Sequence, residues 1–108
     1  MGFPVILTEQ AIADLATIVT FIAADNPERG RSFGNLLIDR ALAIGSFPDI
    51  GRIVPEIGDA QLREVFQGSY RIIYRVLHEP DAIYVLRFWH GAREDPIFVF
   101  LEEISPRH

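Results

Sequence analysis

Cysteine is absent from this sequence of 108 residues, and so is lysine. Without cysteine there is no disulfide framework, no thiolate metal site and no cysteine nucleophile. Without lysine, all 10 basic residues are arginines, the side chain suited to planar, bidentate contacts and to stacking. A GC-rich codon supply accounts for that bias but does not decide where the arginines stand. Positive charge is itself in deficit: 15 acids against 10 bases leave a formal net charge of −5. Such a chain has no general attraction to a phosphate backbone, so any nucleic-acid contact must come from a local arginine cluster. No stretch stays apolar for the roughly 20 residues of a membrane span. The start, "MGFPVILTEQ", lacks the basic end and apolar run of a secretory signal. No Gly-rich phosphate loop and no serine-centred nucleophile motif is present. The three histidines are scattered without ligand spacing, so no metal and no other cofactor is expected. These absences predict a soluble cytoplasmic protein with no membrane contact, one domain over residues 1–108 around a single modest core.

What is present has a clear order. The run "FPVIL", 3–7, reads as a strand. Thr8 then offers an N-cap, and Ile12, Leu15, Ile18, Val19 and Ile22 recur at helical spacing, predicting a helix over 8–24. Asn26 caps a second helix with Pro27 at its first position. Phe33, Leu36, Leu37, Ala41, Ile44 and Phe47 stripe that helix until "SFPDIG" ends it. The segment "GRIVPE", 51–56, reads as a loop. The period then changes to two. Strands are expected at 61–67, 70–77 and 83–90, the last two forming a hairpin about the turn 78–82. Residues 97–101 fit a strand or a helical turn equally. The expected fold is α+β: a two-helix hairpin packed on one face of a small antiparallel sheet, in the order β-α-α-β-β-β.

Strand parity then places the arginines. Arg71 and Arg75 share one face of 70–77, opposite Tyr70, Ile72, Tyr74 and Val76. The same alternation puts Ile83, Val85, Arg87 and Trp89 together on 83–90. Arg71, Arg75 and Arg87, with Arg63 on the preceding strand, are therefore expected on the face the helices leave open. That face is a candidate anion or RNA surface; it is equally a solvated face whose arginines pair with acids such as Glu64. Arg63, Arg75, Arg87 and Trp89 form the candidate binding set, although Trp89 reads first as core. His90 ends its strand beside Gly91, where an imidazole can donate a proton. Glu56, restrained by Pro55, is expected at the same end of the sheet.

The ordered set "A-x-x-D-L" (Ala11, Asp14, Leu15), "DNP", "P-x-x-G-R-x-V-P-E" (48–56), "L-R-E" (62–64), "Y-R-I-I-Y-R-V" (70–76) and "W-H-G-A-R" (89–93) resembles the RelE/ParE toxin superfamily. These are toxins of type II toxin–antitoxin systems, also called plasmid stabilization proteins, and the resemblance covers roughly residues 4–96. It implies a growth inhibitor of bacterial origin, held in check by a cognate antitoxin, with DNA touched only through that antitoxin. Two targets follow from it. ParE-like members inhibit DNA gyrase without nuclease chemistry, whereas RelE-like members cut mRNA on the ribosome. For a nuclease, the matching positions are Glu56 as base, Arg71 and Arg93 for the phosphorane, and His90 as acid. One nuclease branch carries lysines where this chain has Leu62 and Glu64, and a catalytic tyrosine near Val99, between Phe98 and Phe100. Those departures and the acidic charge favour a ParE-like gyrase inhibitor. The alternatives are a ribosome-dependent endoribonuclease using Glu56, Arg71 and His90, and a non-toxic scaffold that only binds its antitoxin.

Overall fold

The computed structural model describes residues 2–91. Its elements are strand β1 (Val5–Leu7), helix α1 (Glu9–Asp25), helix α2 (Pro27–Ala43), one 3-10 turn (Ile44–Ser46), and strands β2 (Arg52–Ile53), β3 (Leu62–Gln67), β4 (Tyr70–Leu77) and β5 (Ala82–His90). The expectations for 97–101, and those for Arg93, Phe98, Val99 and Phe100, lie outside the described residues.

Each helix begins where a short polar side chain satisfies an orphan N–H. Thr8 accepts from the Ala11 N–H at 3.2 Å, and its hydroxyl donates to the Val85 carbonyl at 2.8 Å, tying the start of α1 to β5. Asn26, the single residue between the helices, accepts from the Arg29 N–H at 3.2 Å with Pro27 following it. This pairing fixes a tight hairpin. The helices then touch through glycine: a Cβ on Gly30 would lie 2.8 Å from the Ala23 Cβ and 3.0 Å from its Cα. One on Gly34 would lie 2.7 Å from Val19.

The sheet order is β1-β5-β4-β3-β2. Strands β2 to β5 pair antiparallel, and β1 joins parallel to β5, with Val5 opposite Ile83. The helices cover one face. There, Ala11, Ile18, Leu37, Ala41 and Ile44 pack on Val65, Ile72, Tyr74, Val76, Ile83, Val85 and Phe88. Among the described residues no helix is long and apolar enough to cross a membrane.

Three expectations need correction. The loop at 51–56 contains β2, a two-residue strand on the outer edge of the sheet, too short to show a period. The alternation on β5 breaks: Arg87 faces Ile73 but Val85 faces Tyr74, so Leu86 is an extra residue, a β-bulge. Ile83, Val85 and Phe88 consequently face the helices, while Leu86 and Trp89 face away. The second face is also not open. Segment 54–61 folds over it, and Val54 and Ile57 pack with Leu62, Ile73, Leu86 and Trp89 into a second small core.

Candidate functional site

The second face carries a chain of four charges. Arg52 on β2 donates from Nε to Glu64 Oε2 at 2.7 Å. Glu64 Oε1 lies 3.3 Å from Arg71 NH1 on β4, and Arg71 NH2 donates to Glu56 Oε2 at 2.9 Å. The Glu64 side chain is fully buried and that of Arg71 only 14% exposed. Strand register creates this order: Arg52 stands opposite Glu64, and Glu64 opposite Ile73, so the charges share one face with Arg71 beside them. Two carboxylates and two guanidiniums balance, as buried charge requires. Partial burial pushes the Glu56 carboxyl up. The Arg71 hydrogen bond, a backbone N–H and the charges of Arg71 and Arg52 outweigh burial and leave it below its ordinary 4.5.

Arg75, two pleat repeats further along β4, is paired in the same way. Its NH1 lies 3.8 Å from Asp59 Oδ2, and its side chain is 13% exposed. Neither β4 arginine is a solvated side chain, and the carboxylates Glu56 and Asp59 that face them both come from segment 54–61.

Of the other residues expected on that face, Arg63 stands elsewhere, whereas Arg87 and Trp89 are engaged by neighbours there. Arg63 is opposite Tyr74, so it belongs to the helix side. It donates from NH1 to the Gly51 carbonyl at 2.9 Å and lies 3.6 Å from Asp49. Arg87 leaves the bulge at the sheet edge. It lies over the Trp89 ring, 4.7 Å from its centroid, and donates from Nε and NH2 to Asp14 of α1 at 2.7 and 2.9 Å. Asp14 also accepts the Phe88 N–H at 3.1 Å. Trp89 is buried among Val54, Leu62 and Ile73 as a core residue of the second face.

His90 is directly opposite Tyr70, whereas Arg71 is opposite Trp89. Tyr70 packs with the helix-side core, and its ring meets that of His90 edge-on at 5.1 Å. Thus the structure brings Glu56 and Arg71 together and sends His90 to the opposite face of the sheet. There His90 borders a groove between α1 and β5, with Thr17, Phe21 and Tyr70.

Arg52, Asp59 and the Tyr74 hydroxyl escaped the sequence reading. Asp59 follows Gly58 and accepts the Gln61 N–H at 2.9 Å, a local turn signal that gives no hint of Arg75. Tyr74 is fully buried; its hydroxyl donates to the Pro48 carbonyl at 2.7 Å and accepts the Gly51 N–H at 2.9 Å.

A helical hairpin on a mixed sheet, with a charge-balanced second face, defines a small α+β scaffold. Residues 5–95 match the family described as ParE toxin of type II toxin-antitoxin system, parDE, and the chain belongs to that family. Among solved structures it is similar to the chromosomal ParDE toxin–antitoxin system of P. aeruginosa, at 18% identity and a TM-score of 0.66, over 82% of this chain and 95% of that one. It is also similar to the RelBE2 toxin–antitoxin complex of Mycobacterium tuberculosis, at 22% identity and a TM-score of 0.64, over 86% of this chain and 95% of that one. No curated protein matches the chain.

Proposed function

We propose that this toxin inhibits DNA gyrase and that a cognate antitoxin neutralises it. The observation that supports a gyrase target over mRNA is the occupation of Arg71. Cleavage through a 2′-hydroxyl needs a cation for the phosphorane and an acid for the leaving oxygen on one side of the substrate. Arg71 is engaged by Glu56 and Glu64, and His90 stands across the sheet. The net charge of −5 also works against a ribosomal, RNA-lined target.

The antitoxin is expected to place an apolar segment in the groove beside α1, where Phe21 is 78% exposed. Such a helix-in-groove or added-strand mode needs apolar anchors more than charge. Two assays on one preparation test the target: supercoiling by purified gyrase, and cleavage of mRNA on programmed ribosomes. Loss of supercoiling with intact mRNA is the expected result, unaffected in kind by His90→Gln. Site-specific mRNA cuts with normal supercoiling overturn the reading.

A further inference from the structure

The groove beside α1 differs in charge between its two ends. It starts at Asp14 and Arg87 and passes Thr17, Phe21 and Tyr70. Beyond Tyr70 and His90 it continues to Ile22, Phe33 and Arg29. From Asp14 to Ile22, α1 gives this wall a length of about 12 Å, roughly two helical turns. At the first end Arg87 donates to Asp14 at 2.7 and 2.9 Å, so that cation is already satisfied. At the second end Arg29 is exposed. Arg31, Arg52, Arg63, Arg71, Arg75 and Arg87 each stand within ion-pair distance of a carboxylate. Among the described residues, Arg29 and Arg40 do not. Asp25 borders the same hollow as Arg29 and Phe21 without pairing with the arginine, and the neighbouring Glu28 is held by Arg31. Arg29 also stands in the first turn of α2, where the aligned peptide dipoles disfavour a cation. Neither its helix nor a local ion pair accounts for an arginine at this position.

We propose that Arg29 is a specificity-determining contact for the antitoxin, receiving a carboxylate from the segment that fills the groove. Phe21 and Arg29 border one hollow, so that carboxylate lies about one helical turn from the apolar anchor seated on Phe21. This inference rests on the reading that an antitoxin occupies the groove, and adds the chemistry by which the groove selects its occupant. A carboxylate at Arg29 forms a charge-assisted hydrogen bond and complements the dipole of α2. An acid at the opposite end meets Asp14 beside an arginine that is already paired, and is repelled. The position of the acid therefore fixes which way round the segment lies. A segment with the same apolar anchors and no acid at that position is discriminated against.

The test is calorimetric titration of the full toxin with the protein encoded beside it, at low and at high salt. Arg29→Gln should weaken the complex at least about tenfold and flatten its dependence on salt. Arg40→Gln removes the same charge from an arginine outside the groove and should leave the affinity unchanged. Thermal melts check the fold, and Arg29→Gln should melt no lower than the unsubstituted toxin, because it relieves the start of α2. The antitoxin's acids, changed one at a time to amides, give a second route that needs no toxin variant. One of them should reproduce the tenfold loss, and the same position changed to arginine should restore binding to Arg29→Glu. Unchanged affinity in folded Arg29→Gln overturns the proposal, as does an amide series in which no acid matters. Equal losses for Arg29→Gln and Arg40→Gln reduce the effect to net charge and also overturn it. A toxin dimer that dissociates in Arg29→Gln, seen by sedimentation, gives the groove to a second copy and overturns it too. Absence of binding by the unsubstituted toxin, read before any variant, sinks the antitoxin reading itself; binding that ignores Arg29 sinks the proposal alone.

Discussion

Single residues in this protein are costly where a buried polar group has one fixed set of partners. Glu64 is the clearest case, a carboxylate with no exposed side-chain surface between Arg52 and Arg71. Glu64→Ala leaves Arg71 with Glu56 alone and takes from Arg52 its carboxylate, and should destabilise the fold by about 1–3 kcal/mol, read as a lower urea midpoint. Tyr74 is the second case. Tyr74→Phe leaves the Pro48 carbonyl and the Gly51 N–H without their partner and should cost about 1–3 kcal/mol. It should also change the alkaline limb. Burial pushes the Tyr74 hydroxyl above its ordinary 10.0, with Asp49 adding to that and the Gly51 N–H, Arg63 and Arg40 opposing it. A pKa raised on folding gives stability that is complete below the unfolded value and lost as pH rises through the folded one. Stability should therefore hold to about pH 10 and then fall, and Tyr74→Phe should remove that part of the fall. Denaturant titrations from pH 8 to 11 (both values set by the approximate tyrosine range) measure it. An alkaline limb identical in the two proteins would contradict this account.

Among the elements, the helical hairpin depends on close approach. Gly30 sits where a Cβ would meet backbone atoms of Ala23 at 3.0 Å, which cannot rotate aside. Gly30→Val should lower stability by about 1–3 kcal/mol through overpacking, offset by only a few tenths of a kcal/mol of helix propensity, and calorimetry should show the lower Tm. Elements also set what the sequence reveals. Thr8, Asn26 and Pro27 mark the helix starts because their caps are local, and both were readable. Parity on β4 was readable because its pairing with β3 runs without a break from Leu62 to Gln67. Parity failed on β5 because Leu86 and Arg87 form a bulge that no Gly or Pro announces. Two residues of β2 carry no period at all. Glu56 and Arg71 were each visible as candidates, and so was Glu64 as an acid that could pair. Their meeting depends on the path of segment 54–61 across the sheet, and the face of His90 on the register of β4 with β5; neither is written in a local pattern.

On the scale of the whole molecule, helices occupy one face of the sheet and segment 54–61 packs on the other, and the most exposed large apolar side chain among the described residues is Phe21 beside the α1–β5 groove. Phe21→Asp should weaken the complex with the antitoxin by at least about tenfold, since a buried aromatic anchor is worth about 2 kcal/mol or more. It should leave folding unchanged, and calorimetric titration beside a thermal melt separates the two. An unchanged affinity would place the antitoxin on another surface. The parallel pairing of β1 with β5 has a further consequence, in time. The Thr8 hydroxyl finds its carbonyl on Val85, 77 residues downstream. A ribosome adding about 5–20 residues per second needs about 4–15 s to deliver that partner after Thr8 is made. Until then the first strand has no neighbour and the start of α1 has no anchor on the sheet. A newborn chain therefore carries its first helix and strand for seconds before the sheet they dock on exists, so the fold is completed only when β5 has been made.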